Sequence, residues 1–455
     1  MIFDGNLLLF LTDDYVAEKG AGVSFKIQAP KSIRSAFIRE YPWENFIYLY
    51  TSLIYDEDAR EYRIYYGARD KKNHTYLALA TSKDGVHFEK PQLNVLPYKG
   101  FPQTNIVKDY AGDGVVYLDA HAPKSERYKH FYHINGSGMF LDVSEDGIHW
   151  SERKTNVSKT FNDGFNAFFY DEHDKLYRLF FRAWSGEPLH RMAVTYECGE
   201  LDGNFSVPVP KNAPRRNEKE QPYMSDSWLK AAIDTDEDFP ENTDIYTFAP
   251  NPYPSSDRYY IAFPALYRHI TMEEGARFAS DGTVTTGIFA SADGKRFQKH
   301  MDGRYVQNVE YGRYRNNMAY HAAGLLRDGD EMLSAGTIYV QTHGDVDARR
   351  HYGDGEMLIY RQRKDGFISL EIDDNGGYAL TVPCRITERI TVNAKCRQNG
   401  ELSFWLTDGK QHTFIGRMAG DDTSFPLNVP AGHIGTVASI RIEGKSASLF
   451  AIEFS

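Results

Sequence analysis

The sequence predicts an all-β chain, a five-bladed β-propeller followed by a C-terminal β-sandwich. Three observations predict it. Almost no stretch carries the 3.6-residue period of an amphipathic helix. Short alternating or aromatic-rich runs between turn residues dominate instead. One hairpin signature also recurs. Its first copy, residues 76–91, reads YLALATSKDGVHFEKP, with Ser82-Lys83-Asp84-Gly85 between two apolar runs. Asp-Gly at that place is a strong hairpin signal, because Gly accepts the positive φ of a tight turn.

The copies order the chain. The N-terminal MIFDGNLLLFLTDD reads as a first strand, with Asp13-Asp14 given a structural role. Ser144 to Trp150 and Ser291 to Phe297 repeat Ser82 to Phe88, and Leu201 to Phe205 and Lys364 to Phe367 are looser copies. A strand, a turn and another strand precede each copy, at 52–67, 115–132, 167–181, 247–263 and 322–336. Five units of about four strands suggest a propeller, in which radial repetition leaves only short sheet edges. The alternative is a set of unrelated hairpins in a sandwich, which five copies in matching order disfavour. The fourth unit carries a Pro- and charge-rich insertion at 206–243. Its acidic run, Asp234 to Glu241, reads as a solvated loop in preference to a calcium site. Such a loop is often a lid or rim. After Gly366 the signature stops and short strands fill 367–455, which divides the chain into a propeller, 1–366, and a sandwich, 367–455.

Composition bounds the function. With 455 residues and 41% hydrophobic content, the chain can bury one large core and a smaller one. Aromatics reach 14%, including 31 Tyr and 28 Phe, a level suited to strands and to clefts whose rings stack on sugar faces. The formal charge of −11 argues against a nucleic-acid or anionic-membrane partner. Cys198, Cys384 and Cys396 lack metal-type spacing, and Cys384 and Cys396 read as small buried apolar residues. The N-terminus has no basic n-region or small-residue cleavage site, so a cytoplasmic protein is expected.

A strand followed by S-x-D-G-x-x-[FW] resembles the five-bladed propeller glycoside hydrolases of families 32, 43 and 68. More closely, the chain resembles uncharacterised bacterial "glycosyl hydrolase family 32 N-terminal-like" proteins. Six segments carry that likeness: Leu9 to Glu18, Pro42-Trp43-Glu44, Thr81 to Pro91, Asn105-Ile106-Val107, Asp163 to Asn166 and Asp244-Ile245-Tyr246. The invertase-type Asp before Pro-Asn in blade one is absent, a departure from sucrose and fructan enzymes.

In a propeller the first strand of each blade lines the axis. Counting back from each first turn, the strands begin at Trp43-Glu44-Asn45, Gly112-Asp113-Gly114, Asn162-Asp163-Gly164, Thr243 to Tyr246 and Tyr314 to Asn317. Four of the five deliver a carboxylate to one level, and converging like charges push some carboxyl pKa values up. Glycoside cleavage needs one protonated and one ionised carboxyl group. The resemblance implies a base or nucleophile, an orienting acid and a general acid in blades one, three and four, here Glu44, Asp163 and Asp244. The residue types of the first and last are exchanged relative to the family, so the two roles stay interchangeable, with Asp113 in reserve. Structural alternatives are a Glu44–Arg39 ion pair, a turn at Asp163 and a loop cap at Asp244. Sugar contacts are expected from Arg39, Trp43, Asp113, Asn166, Tyr246, Arg315, Tyr320 and His321. The recurrent Asp56, Asp119 and Asp171 are assigned to structure. No cofactor or metal is required, and a metal on His321 is the lesser alternative to a hydrogen-bonded core histidine. The expected partner is a carbohydrate, with the oligomeric state open. Three functions follow: a glycosidase acting on an oligosaccharide such as an arabinofuranoside or fructoside, a glycoside phosphorylase drawing on Arg313, Arg315 and His269, and a non-catalytic sugar-binding propeller.

Overall fold

The computed structural model describes residues 2–134, 136–162, 164–187, 189–202, 205–215, 221–233, 242–256, 258–276, 280–306, 310–311, 314–315 and 317–455. Each repeat folds into an up-and-down group of four antiparallel strands, the order of a propeller blade. The first sheet runs Phe46–Asp56, Glu61–Arg69, Thr75–Ser82, Ile106–Lys108. The second is Val115–Leu118, Tyr128–Ile134, Gly138–Ser144, Trp150–Ser158, and the third Ala167–Asp171, Leu176–Ser185, His190–Cys198, Lys230–Ala231.

The fourth and fifth groups share an eleven-stranded sheet, joined where Val284 pairs in parallel with Met318. Thr243–Thr247 leads the fourth group and Met318–His321 the fifth. The fifth group takes its outer strand from far upstream, because Ser32–Ile38 pairs with Glu356–Arg363. First strands also meet one another: Ser52 Oγ accepts from Val116 N–H at 2.8 Å, and Leu53 N–H donates to Ala323 O at 2.8 Å.

The recurrent hairpin has one geometry in three places. Asp84 Oδ1 accepts from Val86 and His87 N–H, Asp146 Oδ1 from Ile148 and His149, and Asp293 Oδ1 from Lys295 and Arg296. The glycine that follows has φ +68° at Gly85, +74° at Gly147 and +68° at Gly294. A second repeated device joins neighbouring groups. Asp56, Asp119 and Asp171, at or just past the ends of first strands, accept hydrogen bonds from Tyr128, Tyr177 and Tyr260 of the following group. Each also caps its own turn, Asp56 through Asp58 and Ala59 N–H. The structural assignment of these three aspartates matches their contacts.

Residues 7–27, which the sequence reading counts with the repeats, pair instead with the C-terminal strands. Leu7–Leu9 lies on Val437–Phe454, Val16–Lys19 on Gly377–Thr381, and Val23–Ile27 on Ile368–Ile372. The apolar run Leu7 to Leu11 is almost fully buried there, which is why it cannot belong to a half-exposed blade edge. The same core takes in Phe263 and Ile288 of the fourth group, so both parts of the chain share one apolar interior. All three cysteines are free thiols, with Cys384 and Cys396 buried. Asp13 supplies a backbone turn to Val16. The acidic run 234–241 lies outside the described residues.

Candidate active site

The starts of the first strands surround a small mouth. Tyr48 and Tyr50 come from the first group, Asp113 precedes the second, and Asp244 and Tyr246 lie on the first strand of the fourth. Tyr48 O–H donates to Asp113 Oδ1 at 2.8 Å, and Asp113 Oδ2 lies 4.0 Å from His133 Nδ1. The Tyr48 ring is also covered by the Arg69 guanidinium, 4.0 Å from its centroid. Burial first, then the Asp113 carboxylate, holds the Tyr48 hydroxyl protonated, well above its ordinary range.

Opposite, Tyr246 stacks on Tyr267 with ring centroids 5.5 Å apart, and meets Tyr320 edge-on at 5.9 Å. The Arg182 guanidinium lies 4.1 Å from the Tyr246 ring. His343 Nε2 is 3.0 Å from Tyr246 Oη. Burial drives the His343 pKa down to about 4, helped by Arg349, Arg191 and Arg182, so the ring is neutral at pH 7. A cavity of about 170 Å³ opens beside these groups, between Phe46, Tyr48, Arg69, Tyr246, His343 and Arg349.

Asp244 does not behave as sequence counting implies. Its Oδ2 accepts from Arg191 Nη1 at 3.0 Å and from Arg191 N–H, and lies 3.3 Å from His269 Nε2. Burial works to raise its pKa, but the bond from His269 and the charge of Arg191 outweigh it, and the net shift is downward. Arg191 and the hydrogen bond to His269 thus favour the ionised form of Asp244, the opposite of what converging carboxylates would do. That direction fits the base or nucleophile half of the two interchangeable roles.

Glu44 is corrected. It is 1% exposed, and both carboxylate oxygens are occupied. Oε2 accepts from Glu40 and Tyr41 N–H at 2.8 and 3.0 Å and from Lys90 Nζ at 2.8 Å, and Oε1 accepts from Tyr66 O–H at 2.5 Å. Its partner is Lys90, contributed by the EKP end of the first hairpin motif, and not Arg39. Trp43 is fully buried, with Nε1 donating to Asn105 Oδ1 at 3.0 Å. These are scaffold contacts.

The remaining candidates divide. Tyr246 lines the mouth, and Tyr320 lies behind it, 1% exposed, too deep to meet a sugar. Asn166 is fully buried and accepts from Asn162 Nδ2 at 2.7 Å. His321 is 1% exposed, stacked 3.8 Å from the Phe263 ring and bonded to Ser334 Oγ at 3.0 Å. That is a neutral core histidine, and its expected sugar contact is corrected because no surface is left to make one. Arg39 Nη1 donates to Asn45 O at 3.3 Å, at the cavity's edge. Asp163 lies outside the described residues, although its neighbour Gly164 packs on Arg182. The side chain of Arg315 and the whole of Arg313 are likewise outside them.

Sequence counting missed Tyr48, Arg69, His343 and Arg349. Tyr48 and Tyr50 had a signal, the period-2 aromatics at the start of a first strand. His343 and Arg349 had none, since they come from the loop and short helix Val346–Tyr352 between the last group's second and third strands. A larger cavity, about 480 Å³, sits at the far ends of the first strands and is largely apolar. Its carboxylates are committed, Asp119 to Lys129 and Glu172 to His121 and Lys175. Among the described residues, no group of three or more His, Cys, Asp or Glu is arranged to hold a metal ion. No described helix is long and apolar enough to cross a membrane.

No family model matches the chain. No curated protein matches it either. Among solved structures, it is similar to an N-acetylgalactosamine deacetylase from F. plautii, at 11% identity and a TM-score of 0.46, over 74% of this chain and 94% of that one. A glycosyl hydrolase from Bacteroides ovatus aligns at 12% identity and TM-score 0.42, covering 74% and 93%. The endo-arabinase of Bacteroides thetaiotaomicron aligns at 12% and 0.37, covering 71% and 98%.

Proposed function

We propose that the chain is a glycoside hydrolase built on a five-bladed propeller with a C-terminal sandwich, acting at the mouth formed by Tyr48, Asp113, Asp244 and Tyr246. The supporting observation is the placement of two aspartates at the starts of the second and fourth groups' first strands, each beside tyrosine rings. Asp113 is held by Tyr48, and Asp244 by Arg191 and His269. Glycoside hydrolysis uses one carboxyl group to protonate the leaving oxygen and one carboxylate to act on the other side of the anomeric carbon. Asp244, whose ionised form is favoured by Arg191 and the His269 hydrogen bond, suits the carboxylate role or that of an orienting charge. Asp113 and Asp163 are the candidates for its partner. The tyrosines offer flat faces for the sugar and hydroxyls for orientation.

The test is a panel of synthetic glycosides, arabinofuranosides, fructosides and galactosides included, with product stereochemistry followed by NMR. Asp113→Asn and Asp244→Asn should each lower kcat by about a thousandfold while sugar binding persists. Full turnover in both variants would remove the mouth from catalysis. Binding with no turnover in the parent protein would favour a carbohydrate-binding module.

A further inference from the structure

We propose that the cavity beside Asp113 receives a negatively charged oxygen group, a carboxylate, sulfate or phosphate, presented with the sugar. The inference names the substrate chemistry of the mouth and rests on the reading of that mouth as a sugar site.

The chain carries a formal charge of −11, yet this cavity is walled by Arg69, Lys71, Arg349 and Arg350. Asp70 is the only acid among its described lining residues, and it is already bonded to Lys99 Nζ and Tyr98 O–H, each at 3.1 Å. None of the four cations pairs with a carboxylate among the described residues. Arg69 is positioned by its stacking on Tyr48 and by donating from Nε to Thr75 Oγ1 at 2.8 Å. Arg349 is positioned by donating from Nη2 to His343 O at 2.5 Å. A guanidinium carries five N–H donors, so each anchored group keeps donors for a ligand. Lys71 and Arg350 are exposed, whereas Arg69 and Arg349 are half-buried and less well solvated, a cost that an arriving anion offsets. Planar, pre-positioned guanidinium groups suit the paired oxygens of carboxylate, sulfate or phosphate. Asp113 offsets part of the charge at Arg69 and Asp354 part of that at Arg349, and a neutral sugar would leave the remainder without a partner.

The charge has two possible sources. An acidic sugar would bring it covalently, as a uronic acid or a sulfate ester. Inorganic phosphate would bring it free. In that case a phosphate oxygen would form the new bond to the anomeric carbon as the glycosidic C–O bond breaks. The leaving oxygen would take the acid's proton, and the product would be a sugar 1-phosphate.

Calorimetric titration of the full chain at low salt separates these cases, with glucuronate, galacturonate, glucose 6-sulfate and inorganic phosphate compared with glucose and galactose. At least one anion should bind about tenfold or more tightly than the neutral sugars, and Arg349→Gln should remove about that factor. Arg350→Gln, on the exposed face of the short helix, should weaken binding less, and Arg349→Lys should restore part of it. Binding of acidic sugars without phosphate dependence assigns the charge to the sugar. Phosphate-dependent release of a sugar 1-phosphate assigns it to a co-substrate. Equal affinity for neutral and acidic sugars with no phosphate binding overturns the inference, as does unchanged anion affinity in Arg349→Gln. Anion binding without turnover of any glycoside would sink the hydrolase reading and leave the anion site standing.

Discussion

Glu44 illustrates how a residue at the right level of a strand can point the wrong way. It precedes its strand in a turn, where Glu44 N–H donates to Tyr41 O at 2.9 Å, and that turn swings the carboxylate back toward Lys90. The Lys90 side chain is only 4% exposed and also faces the rings of Phe37 and Tyr41 at 5.0 and 5.5 Å. Removing one charge of such a pair leaves the other buried and unpaired. Glu44→Gln should therefore destabilise the fold by about 3 kcal/mol, and adding Lys90→Met should recover part of the loss. Urea unfolding midpoints measure both. Unchanged stability together with lost turnover would return Glu44 to catalysis. Asp244 teaches the complementary lesson, since its partners come from separate strands: Arg191 from the third group, and His269 from the fourth group's own second strand. Spacing along one strand carries no information about either.

The hairpin is the element whose sequence and geometry agree best. In S-x-D-G the serine hydroxyl and the aspartate take up the turn's own N–H groups, so the motif is locally self-sufficient and legible without the rest of the fold. Asp146 shows the electrostatic side of it. Burial would raise its pKa, but His149 and two backbone N–H groups draw it down to about 2. Its contribution to stability is present above the unfolded carboxylate range and is lost as the pH falls toward 2. What the motif does not disclose is its packing. A Cβ on Gly147 would lie 2.1 Å from Tyr65 Oη, a residue of the first sheet, whereas one on Gly329 would meet nothing within 4 Å. Both glycines have positive φ, +74° and +61°. Gly329→Ala should cost only the conformational penalty, about 1 kcal/mol, and Gly147→Ala at least twice that. Thermal unfolding of the two variants provides the comparison, and equal losses would show that the Tyr65 contact yields freely.

At the scale of the whole molecule, the N-terminal segment does two jobs. Residues 7–27 complete the C-terminal sheet, and Ser32–Ile38 supplies the last strand of the fifth group. Deleting residues 1–27 exposes the partners of five buried apolar residues, Leu7 to Leu11, on the order of 8 kcal/mol of burial. The shortened chain should aggregate or unfold several degrees lower in a thermal scan. An unchanged midpoint would show that the segment is dispensable to the sheet it joins.

Repetition and alternation along the chain determined by themselves the all-β class, the succession of four-stranded groups, the turn role of Asp84, Asp146 and Asp293, and the structural role of Asp56, Asp119 and Asp171. Each of these rests on contacts close in sequence or on a pattern repeated from unit to unit. Only the tertiary structure decided that Glu44 belongs to a buried ion pair, that Asp244 is held by Arg191 and His269, and that the mouth is completed by Tyr48, Arg69, His343 and Arg349. It also decided that the first strands of the chain pair with its last. The physical reason is the same in each case. A side chain's charge state and a strand's partner depend on groups that arrive from tens to hundreds of residues away, and no local period encodes their arrival.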